Sequence, residues 1–318
     1  MKVSVVITIK NEERSISGLL ISLIKQTKKP DEIIIIDSQS EDKTIEIIRH
    51  FQKKDKRIKL LVKKCSRAEG RNVGVDIAKN SIIAMTDAGC LSKKEWLKRL
   101  VKPLENKDIE VVAGFYHMTS SNSMQKAMKV FLGVVPGDFD VRFLPSTRSI
   151  AFRKEVWERV GGFPENIEDT AEDTIFNYKL VSEGVKIARV KNAIVEWRMP
   201  ETLSEFVNKL LNYAKGDARS KVWLFPGKGL TSHNIKAILI IIRYIIGLAL
   251  LIFSFAFPTL LVLLLAILTV YILWSFSKVY SKTLDVKAGL WGIVLQITSD
   301  ISVMVGFAIG VAKSIFSA

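Results

Sequence analysis

Short apolar runs alternate with helical patterns in the N-terminal part of the chain. The runs VSVVITI (3–9), EIIIID (32–37), IKLLV (58–62) and SIIAMT (81–86) are continuous enough for buried strands. Between them, apolar residues recur at helical spacing over about 12–26, 41–53 and 67–79. Ser40 is a candidate N-cap, and Ser92 with Glu95 is a candidate capping box of a further helix. This alternation predicts an α/β fold, a mostly parallel sheet with helices on both faces.

The C-terminal part is dominated by three long apolar runs, at 238–257, 258–276 and 288–312. A bilayer span requires roughly 20 apolar residues, and all three runs approach or exceed that length. The third run also carries Gln296 and Asp300. We therefore predict a first domain at 1–225 and an α-helical transmembrane region at 226–318 with two to three spans. A buried core helix is the alternative for each run.

The segment between the second and third runs, SKVYSKTLDVK (277–287), is rich in lysine. The positive-inside rule places such a loop on the cytoplasmic side. Because two spans separate it from the first domain, we predict a multi-pass protein of the cell membrane whose first domain is cytoplasmic. Arg243 and Asp300 lie within apolar runs and are expected to pair or to face a lipid headgroup.

Residues 202–222, TLSEFVNKLLNYAKGDARSKV, form an amphipathic pattern at the end of the first domain. The apolar stripe consists of Leu203, Phe206, Val207, Leu210, Leu211 and Ala214. Such a helix either faces a protein core or lies on a membrane surface. Its position just before Trp223 and the first apolar run favours the membrane surface.

Charge and cysteine content narrow the possible function classes. The 47 Lys and Arg against 32 Asp and Glu give a formal net charge of +15, which suits nucleic acid, anionic lipid or phosphorylated small molecules. No basic segment is interleaved with aromatic residues, so nucleic acid is not an expected partner. Cys65 and Cys90 are too few for a disulfide scaffold and are interpreted as reduced thiols. The absence of Gly-x-Gly-x-x-Gly after the first strand, and of a P-loop, argues against dinucleotide dehydrogenases and P-loop enzymes.

Polar side chains follow three of the predicted strands. Asn11 and Glu12 follow the first strand, Asp37 ends the second, and Asp87 ends the fourth, within MTDAGC. In parallel sheets, ligands bind at the carboxyl ends of the strands. A metal site with two carboxylates would require Asp-x-Asp, but Gly89 stands at the second position. Asp87 is therefore either a turn residue or half of a metal site that a ligand completes.

In this order, the motifs resemble those of glycosyltransferase family 2, whose members have the nucleotide-sugar-binding GT-A fold. VSVVITIKNEE is similar to the family's first-strand motif, with Thr8 where proline is common. Five further stretches are similar to family motifs in the same order: IDSQSEDKT, AEGRNVG, TDAG, TRSIAFRKEVWERVGGF and AEDTIF. The resemblance covers about 3–225 and implies an enzyme that uses a nucleoside diphosphate sugar, linked to UDP or GDP.

The resemblance also implies roles for individual residues. Nucleotide binding is expected at Thr8, Asn11, Glu12, Asp37, Arg67, Arg71 and Asp87. Asp87 would share a divalent cation, Mg²⁺ or Mn²⁺, with the phosphate oxygens of the donor. Arg148, and Arg219 within YAKGDAR, would meet the acceptor or the diphosphate.

Four acids lie close together in IEDTAEDTIF. Glu168 and Asp169 are interpreted as surface acids, whereas the resemblance makes Asp173 the general base and Glu172 its support or an acceptor ligand. All four could instead be acids that favour the positive end of a helix dipole.

Together these assignments predict an inverting glycosyltransferase that acts on a hydroxyl of a membrane-associated, lipid-linked acceptor. A hydroxyl needs a base, which Asp173 would supply. A polyprenyl phosphate acceptor is already anionic and needs none, so a polyprenyl-phosphate glycosyltransferase remains an alternative. An inactive nucleotide- or lipid-binding scaffold is the alternative of another class, and Gly89 is its main support.

Overall fold

The structure, a computed structural model, describes residues 1–165, 170–225, 230–231 and 233–316. The chain divides into two units. The first consists mainly of residues 1–119 and 136–198, and the second mainly of residues 120–135, 199–225 and 229–318.

The first unit is built around one large sheet. Its strands within the described residues are β1 (Val3–Ile9), β2 (Glu32–Asp37), β3 (Ile58–Val62), β4 (Ile82–Met85), β5 (Cys90–Ser92), β6 (Val111–Thr119), β7 (Ile150–Arg153) and β8 (Ile187–Arg198). They lie in the order β3-β2-β1-β4-β7-β6-β8-β5. The first four strands of this order are parallel, β7 is antiparallel to both neighbours, and β6 is parallel to β8. The predicted α/β class with a mostly parallel sheet is confirmed.

Helices follow β1, β2 and β3, as the pattern predicts. The helices of the described chain are α1 (Ile16–Ile24), α2 (Thr44–Lys54), α3 (Arg67–Asp76), α4 (Trp96–Val101), α5 (Ser123–Leu132), α6 (Lys154–Arg159), α7 (Glu172–Ser182), α8 (Leu203–Ser220), α9 (His233–Ser254), α10 (Thr259–Thr283) and α11 (Val286–Phe316). β2 and β4 are buried along their whole length, and β1 nearly so, which explains their unbroken apolar sequences.

Two predicted helix caps are wrong. Ser40 lies before the start of α2, and its hydroxyl donates to Asp37 Oδ2 at 2.6 Å instead of capping the helix. Ser92 is the last residue of β5, which pairs with β8, so α4 begins only after Glu95. Ser40 is thus bound to the acid that ends β2, and Ser92 is part of a strand, so neither residue caps the helix that follows it.

The second unit contains α5, α8 and three helices that are long and apolar enough to cross a membrane. These are α9, α10 and α11, and they correspond to the three apolar runs. Two short strands, Leu224–Phe225 and Leu230–Thr231, pair in antiparallel fashion before α9. The predicted first domain ended at residue 225, whereas α8 is grouped with the second unit.

Small residues explain why α8 belongs to the second unit. A Cβ at Gly306 of α11 would lie 2.5 Å from the Leu211 carbonyl oxygen, and one at Gly310 would lie 2.5 Å from that of Lys215. Opposite these glycines, α8 presents Ala214 and Ala218. The two backbones approach closely because side chains are minimal at the crossing. The apolar stripe of α8 thus packs on protein.

A polar cluster lies where α9, α10 and α11 meet. Asp300 is fully buried, and its carboxylate accepts hydrogen bonds from Arg243, from Tyr271 at 2.5 Å, from Tyr244 at 3.3 Å and from Gln296 at 2.9 Å. The contact between Arg243 and Asp300 is one of the two outcomes expected from the sequence. A buried carboxylate with this many donors is well satisfied.

Candidate active site

The carboxyl ends of β1, β2 and β4 bring the predicted polar residues to one edge of the sheet. β1 pairs with β2 in parallel, with Ile9 opposite Asp37, and β1 also pairs in parallel with β4. Asn11, Asp37 and Asp87 therefore follow neighbouring strands on the same side.

The loop after β1 is joined to the loop after β2 by hydrogen bonds. Asn11 has a left-handed backbone with φ of 54°, and its side-chain oxygen accepts the Glu41 N–H at 2.9 Å. The Asn11 N–H donates to Ser40 Oγ at 2.8 Å. The fully buried Asp37 accepts the Ser40 N–H at 2.8 Å. Asp37 thus orders the turn that follows β2.

α3 directs Arg67 and Arg71 toward the same carboxylate, that of Glu172. Arg71 is only 3% exposed and donates to Glu172 Oε1, to Thr147 Oγ1 at 2.9 Å and to Asp87 Oδ1 at 3.2 Å. Arg67 is half exposed, with Nη1 3.8 Å from Glu172 Oε1. Arg67 and Arg71 are four residues apart and therefore lie on the same face of α3. The buried guanidinium of Arg71 links the turn after β4 to the start of α7.

The first turn of α7 holds the predicted acidic pair. Glu172 is buried, and its second oxygen, Oε2, has no hydrogen-bond partner among the described residues. Asp173 is next in the chain. Burial and the neighbouring Glu172 and Asp87 carboxylates raise the pKa of Asp173 to about 6, while Arg71 and Arg148 oppose the shift. A carboxylate with such a pKa is suited to accept a proton near neutral pH.

Arg148 approaches the site from the turn before β7. Its guanidinium lies 3.9 Å from the centroid of the Trp197 ring and 5.3 Å from that of Tyr116. Arg148 Nε is 4.0 Å from Asp87 Oδ2. Two aromatic rings therefore hold the cation beside the Asp87 carboxylate.

Asp87 itself lies in the turn between β4 and β5, and its side chain is 34% exposed. Burial acts to raise the pKa of Asp87, but the nearby guanidinium groups, first of all those of Arg71 and Arg148, hold it below its usual value. Asp87 is thus an ionised carboxylate with access to solvent. A Cβ at Gly89 would meet no atom within 4 Å, so there is open space beside it.

Sequence reasoning missed several residues that shape the site. Thr147, Tyr116 and Trp197 contact the two arginines, yet each reads as an ordinary buried residue of a strand or turn. Asn72 was also missed. It accepts the Phe163 N–H at 2.9 Å and the Trp157 Nε1–H at 3.0 Å, and so attaches α3 to the Gly-Gly-Phe turn after α6.

The remaining predicted residues are placed as follows. Thr8 packs on α3, since a Cβ at Gly70 would lie 3.0 Å from its methyl group. Glu12 donates its N–H to Thr44 Oγ1 at 2.7 Å, while its carboxylate accepts from Ser15. Arg219 belongs to α8 in the second unit. Glu168 and Asp169 lie outside the described residues.

Residues 4–161 match the family model described as glycosyl transferase family 2. The chain belongs to glycosyltransferase family 2. The match contains the β1 loop, Asp37, both α3 arginines, Asp87 and Arg148, whereas Glu172 and Asp173 lie beyond its end.

Two relatives illustrate the range of similar proteins. Glycosyltransferase AglE of Haloferax volcanii is 27% identical over 172 residues, which are 52% of this chain and 57% of that protein. A Methanococcus voltae enzyme is 24% identical over 261 residues, which are 70% of this chain and 77% of that protein. Its name is dolichyl N-acetyl-alpha-D-glucosaminyl phosphate 3-beta-D-2,3-diacetamido-2,3-dideoxy-beta-D-glucuronosyltransferase. The chain thus spans little more than half the length of AglE.

A solved structure supports the fold over almost the whole chain. The mannosyltransferase PcManGT from Pyrobaculum calidifontis, in complex with GDP-Man and Mn²⁺, has a TM-score of 0.59 and 20% sequence identity. The likeness covers 93% of this chain and 86% of that one. This similarity bears on the GT-A fold.

Proposed function

We propose that the chain is an inverting glycosyltransferase that moves a sugar from a nucleoside diphosphate sugar to a hydroxyl of a membrane-associated, lipid-linked acceptor. The observation that carries this proposal is the raised pKa of Asp173, about 6, in a cluster that also contains Asp87 and Arg148. The cluster contains a carboxylate that can accept a proton, and it also contains charged groups that can bind a diphosphate.

Asp173 acts as the general base. Its carboxylate accepts the proton of the acceptor hydroxyl while the oxygen forms a bond to the anomeric carbon. The bond from that carbon to the diphosphate oxygen breaks in the same step, which inverts the anomeric centre. Glu172 is held by Arg71 and supports the position of Asp173 at the start of α7.

Arg148 and Arg67 interact with the leaving diphosphate. Both are charged, and both lie near Asp87 or Glu172, where the turn after β4 meets α7. Arg71 was predicted among the nucleotide ligands, but its burial and its contacts support a positioning role. One preorganised donor that stabilises charge developing in a transition state is worth on the order of 3–4 kcal/mol.

The described residues fit a divalent cation only as a shared site. They contain no group of three or more His, Cys, Asp or Glu that could hold a metal by itself. Asp87 offers one ionised carboxylate, with open space at Gly89, so phosphate oxygens would have to complete the coordination. When bound, Mg²⁺ or Mn²⁺ would neutralise charge on the diphosphate.

The nucleoside is expected at the carboxyl ends of β1 and β2. Asp37, Asn11 and Glu12 lie there, and Asn11 and Asp37 order the loops that follow these strands. A nucleoside hydroxyl would have to compete with Ser40 for the Asp37 carboxylate. Both UDP and GDP sugars are compatible with this arrangement.

A lipid-linked acceptor is supported by the second unit. Three helices are long and apolar enough to cross a membrane, and the Methanococcus voltae relative is named for a dolichyl phosphate-linked substrate. We place the chain in the cell membrane as a multi-pass protein with the first unit in the cytoplasm. Arg219 in the last turn of α8 is a candidate contact for the anionic part of the acceptor.

Release of nucleoside diphosphate by the full chain in nanodiscs tests the proposal. A panel of UDP and GDP sugars is offered with Mn²⁺ and either a lipid-linked saccharide or polyprenyl phosphate. We expect the saccharide to support release and Asp173→Asn to lower the rate roughly 10²- to 10⁴-fold. Asp108→Asn, an exposed acid whose side chain is 73% exposed, is the matched control and should leave the rate unchanged.

Equal release by wild type and Asp173→Asn would remove the assignment of the base. Release that requires only polyprenyl phosphate and survives Asp173→Asn would support the polyprenyl-phosphate glycosyltransferase instead. A chain that binds nucleotide but releases none with any donor would be the scaffold.

A further inference from the structure

The contacts of α11 define its direction relative to the α9–α10 hairpin. Residues 255–258 join α9 to α10, and the two helices contact each other. The start of α9 and the end of α10 therefore lie at the same end of the hairpin, which we call the open end. The residues around the connection form the tip.

The first half of α11 packs on α10 near the open end. A Cβ at Gly292 would lie 2.8 Å from the Ser275 carbonyl oxygen and 2.7 Å from a Val279 methyl group. Farther along α11, Asp300 reaches Tyr271 of α10 and Arg243 of α9. Among the polar side chains of α11 in the described residues, Asp300 makes the contacts that lie closest to the tip.

The second half of α11 returns to the open end. Phe307 packs with Ala237 in the second turn of α9 and with Ala218 of α8. Gly310 lies against Lys215 of α8. The same end of α8 is bound to the start of α9, where Asn234 Nδ2 donates to the Asp217 carbonyl oxygen at 2.7 Å. Both halves of α11 thus contact the open end of the hairpin.

This arrangement is incompatible with a third span that runs beside the other two. The 18 residues from Gly292 to Gly310 correspond to about 27 Å of helix, close to the hydrocarbon thickness of a bilayer. A spanning helix would carry these glycines to opposite ends of the hairpin. Instead, α11 crosses the open end.

The surface of α11 has two different faces. Leu295, Asp300 and Ser302 are buried against protein. The opposite face is a continuous apolar stripe, each member between 41% and 56% exposed: Leu290, Val294, Ile297, Ile301, Val305 and Ile309. Lys287 and Lys313 are exposed near the two ends of the helix. An apolar stripe with lysines at its ends suits the boundary between lipid headgroups and acyl chains.

We infer that α11 lies in the plane of the membrane interface, with this stripe as its lipid contact, and that only α9 and α10 cross the bilayer. The inference rests on the membrane placement in the proposed function but not on sugar transfer. It puts the end of α10 and the end of the chain on the same side of the membrane.

The depth of single labels in nanodiscs tests this inference. Leu290→Cys, Ile301→Cys and Ile309→Cys each receive a fluorophore and are exposed to lipids that carry quenchers at known acyl positions. The background variant is Cys65→Ser, because Cys65 is partly exposed while Cys90 is buried. We expect the three labels to report depths that agree within a few ångströms. A span would separate the first from the last by about 28 Å.

Leu248→Cys in α9, which is 58% exposed, is the control for the bilayer interior and should be quenched most by the deepest lipid. A steady change of depth from residue 290 to 309 would make α11 a third span and overturn the inference while leaving sugar transfer untouched. Lack of quenching along α11 would also overturn it. Lack of quenching at Leu248 as well would remove the membrane placement itself.

Discussion

Both units bury a carboxylate beside an arginine, but they satisfy it to different degrees. In the second unit, Asp300 is fully buried and accepts from four side chains on three helices. In the first unit, Glu172 receives Arg71 through one oxygen, while the other has no hydrogen-bond partner among the described residues. A buried carboxylate whose oxygens all accept hydrogen bonds indicates a structural role. A buried carboxylate with an oxygen that lacks a partner indicates a group available for a ligand or for chemistry.

The charges around Glu172 are also compensated only in part. Glu172, Asp173 and Asp87 act on one another, and Arg71 and Arg148 offset only part of their repulsion at Asp173. The site therefore retains a proton-accepting group instead of a closed set of ion pairs. Perturbed pKa values of this kind are concentrated at functional sites.

Breaking the Arg71 contact should produce the largest change. In Arg71→Met the buried Glu172 carboxylate loses its close partner and keeps only Arg67, at 3.8 Å, as a nearby cation. We therefore expect a loss of about 3–5 kcal/mol in the free energy of unfolding of the first unit. Thermal unfolding of the full chain in detergent measures it. Arg67→Met, the half-exposed neighbour on the same helix, should change stability by less than about 0.5 kcal/mol.

The double variant Arg71→Met with Glu172→Gln sharpens this result. It removes the charge that the single variant leaves buried and should recover a substantial part of the loss. Similar losses in Arg71→Met and Arg67→Met would contradict the positioning role of Arg71.

Removing the charge of Asp173 should stabilise the folded protein at neutral pH, whereas Arg71→Met destabilises it. Because the folded protein raises the pKa of Asp173 to about 6 from an ordinary value near 3.8, the folded state binds the proton more tightly than the unfolded state. This residue's contribution to stability is therefore lost as pH rises from about 4 to 6. We expect Asp173→Asn to unfold at a higher temperature than wild type at pH 7.5 and to lose that advantage toward pH 4.

The same titration predicts the pH dependence of transfer. The rate of the wild type should rise with pH through about 6, as the base loses its proton. The small residual rate of Asp173→Asn should lack this rise. Initial rates in buffers of constant ionic strength measure both, and a rise that survives in Asp173→Asn would assign the titration to another group.

Breaking the contacts of the Asp300 carboxylate should have a smaller effect. Asp300→Asn keeps the shape of the side chain and two of its polar atoms, so we expect a loss of about 1–3 kcal/mol in stability. The measurement is the thermal midpoint for loss of the helical circular dichroism signal in nanodiscs, which should fall. The matched variant Asp108→Asn should not move the midpoint. No change in Asp300→Asn would show that the cluster does not hold the three helices together.

Sequence patterns predicted those parts of the molecule that depend on local periodicity and on the order of motifs. The strands β1 to β4, the polar residues at their ends and the three long apolar helices were all found. The contacts that set the chemistry depend on topology instead. Arg71 meets Glu172 only because α3 and the start of α7 come together, and Trp197 meets Arg148 only because β8 joins the far side of the sheet. The periodicity of α8 could not decide between protein and lipid as its partner, and the small residues at Gly306 and Gly310 decide it.

The smallest expected effect concerns the missing second acid beside Asp87. A side chain at Gly89 would meet no atom within 4 Å, and Gly89 is exposed, so Gly89→Asp should fold without strain. The variant adds a second carboxylate ligand, and we expect Mn²⁺ to bind roughly tenfold more tightly without nucleotide, about 1.4 kcal/mol. Titration calorimetry with Mn²⁺ alone measures this, and Gly89→Ala separates the effect of the carboxylate from that of the backbone. If Gly89→Asp gains no affinity over Gly89→Ala, then Asp87 does not face a cation, and its carboxylate serves Arg71 and Arg148 alone.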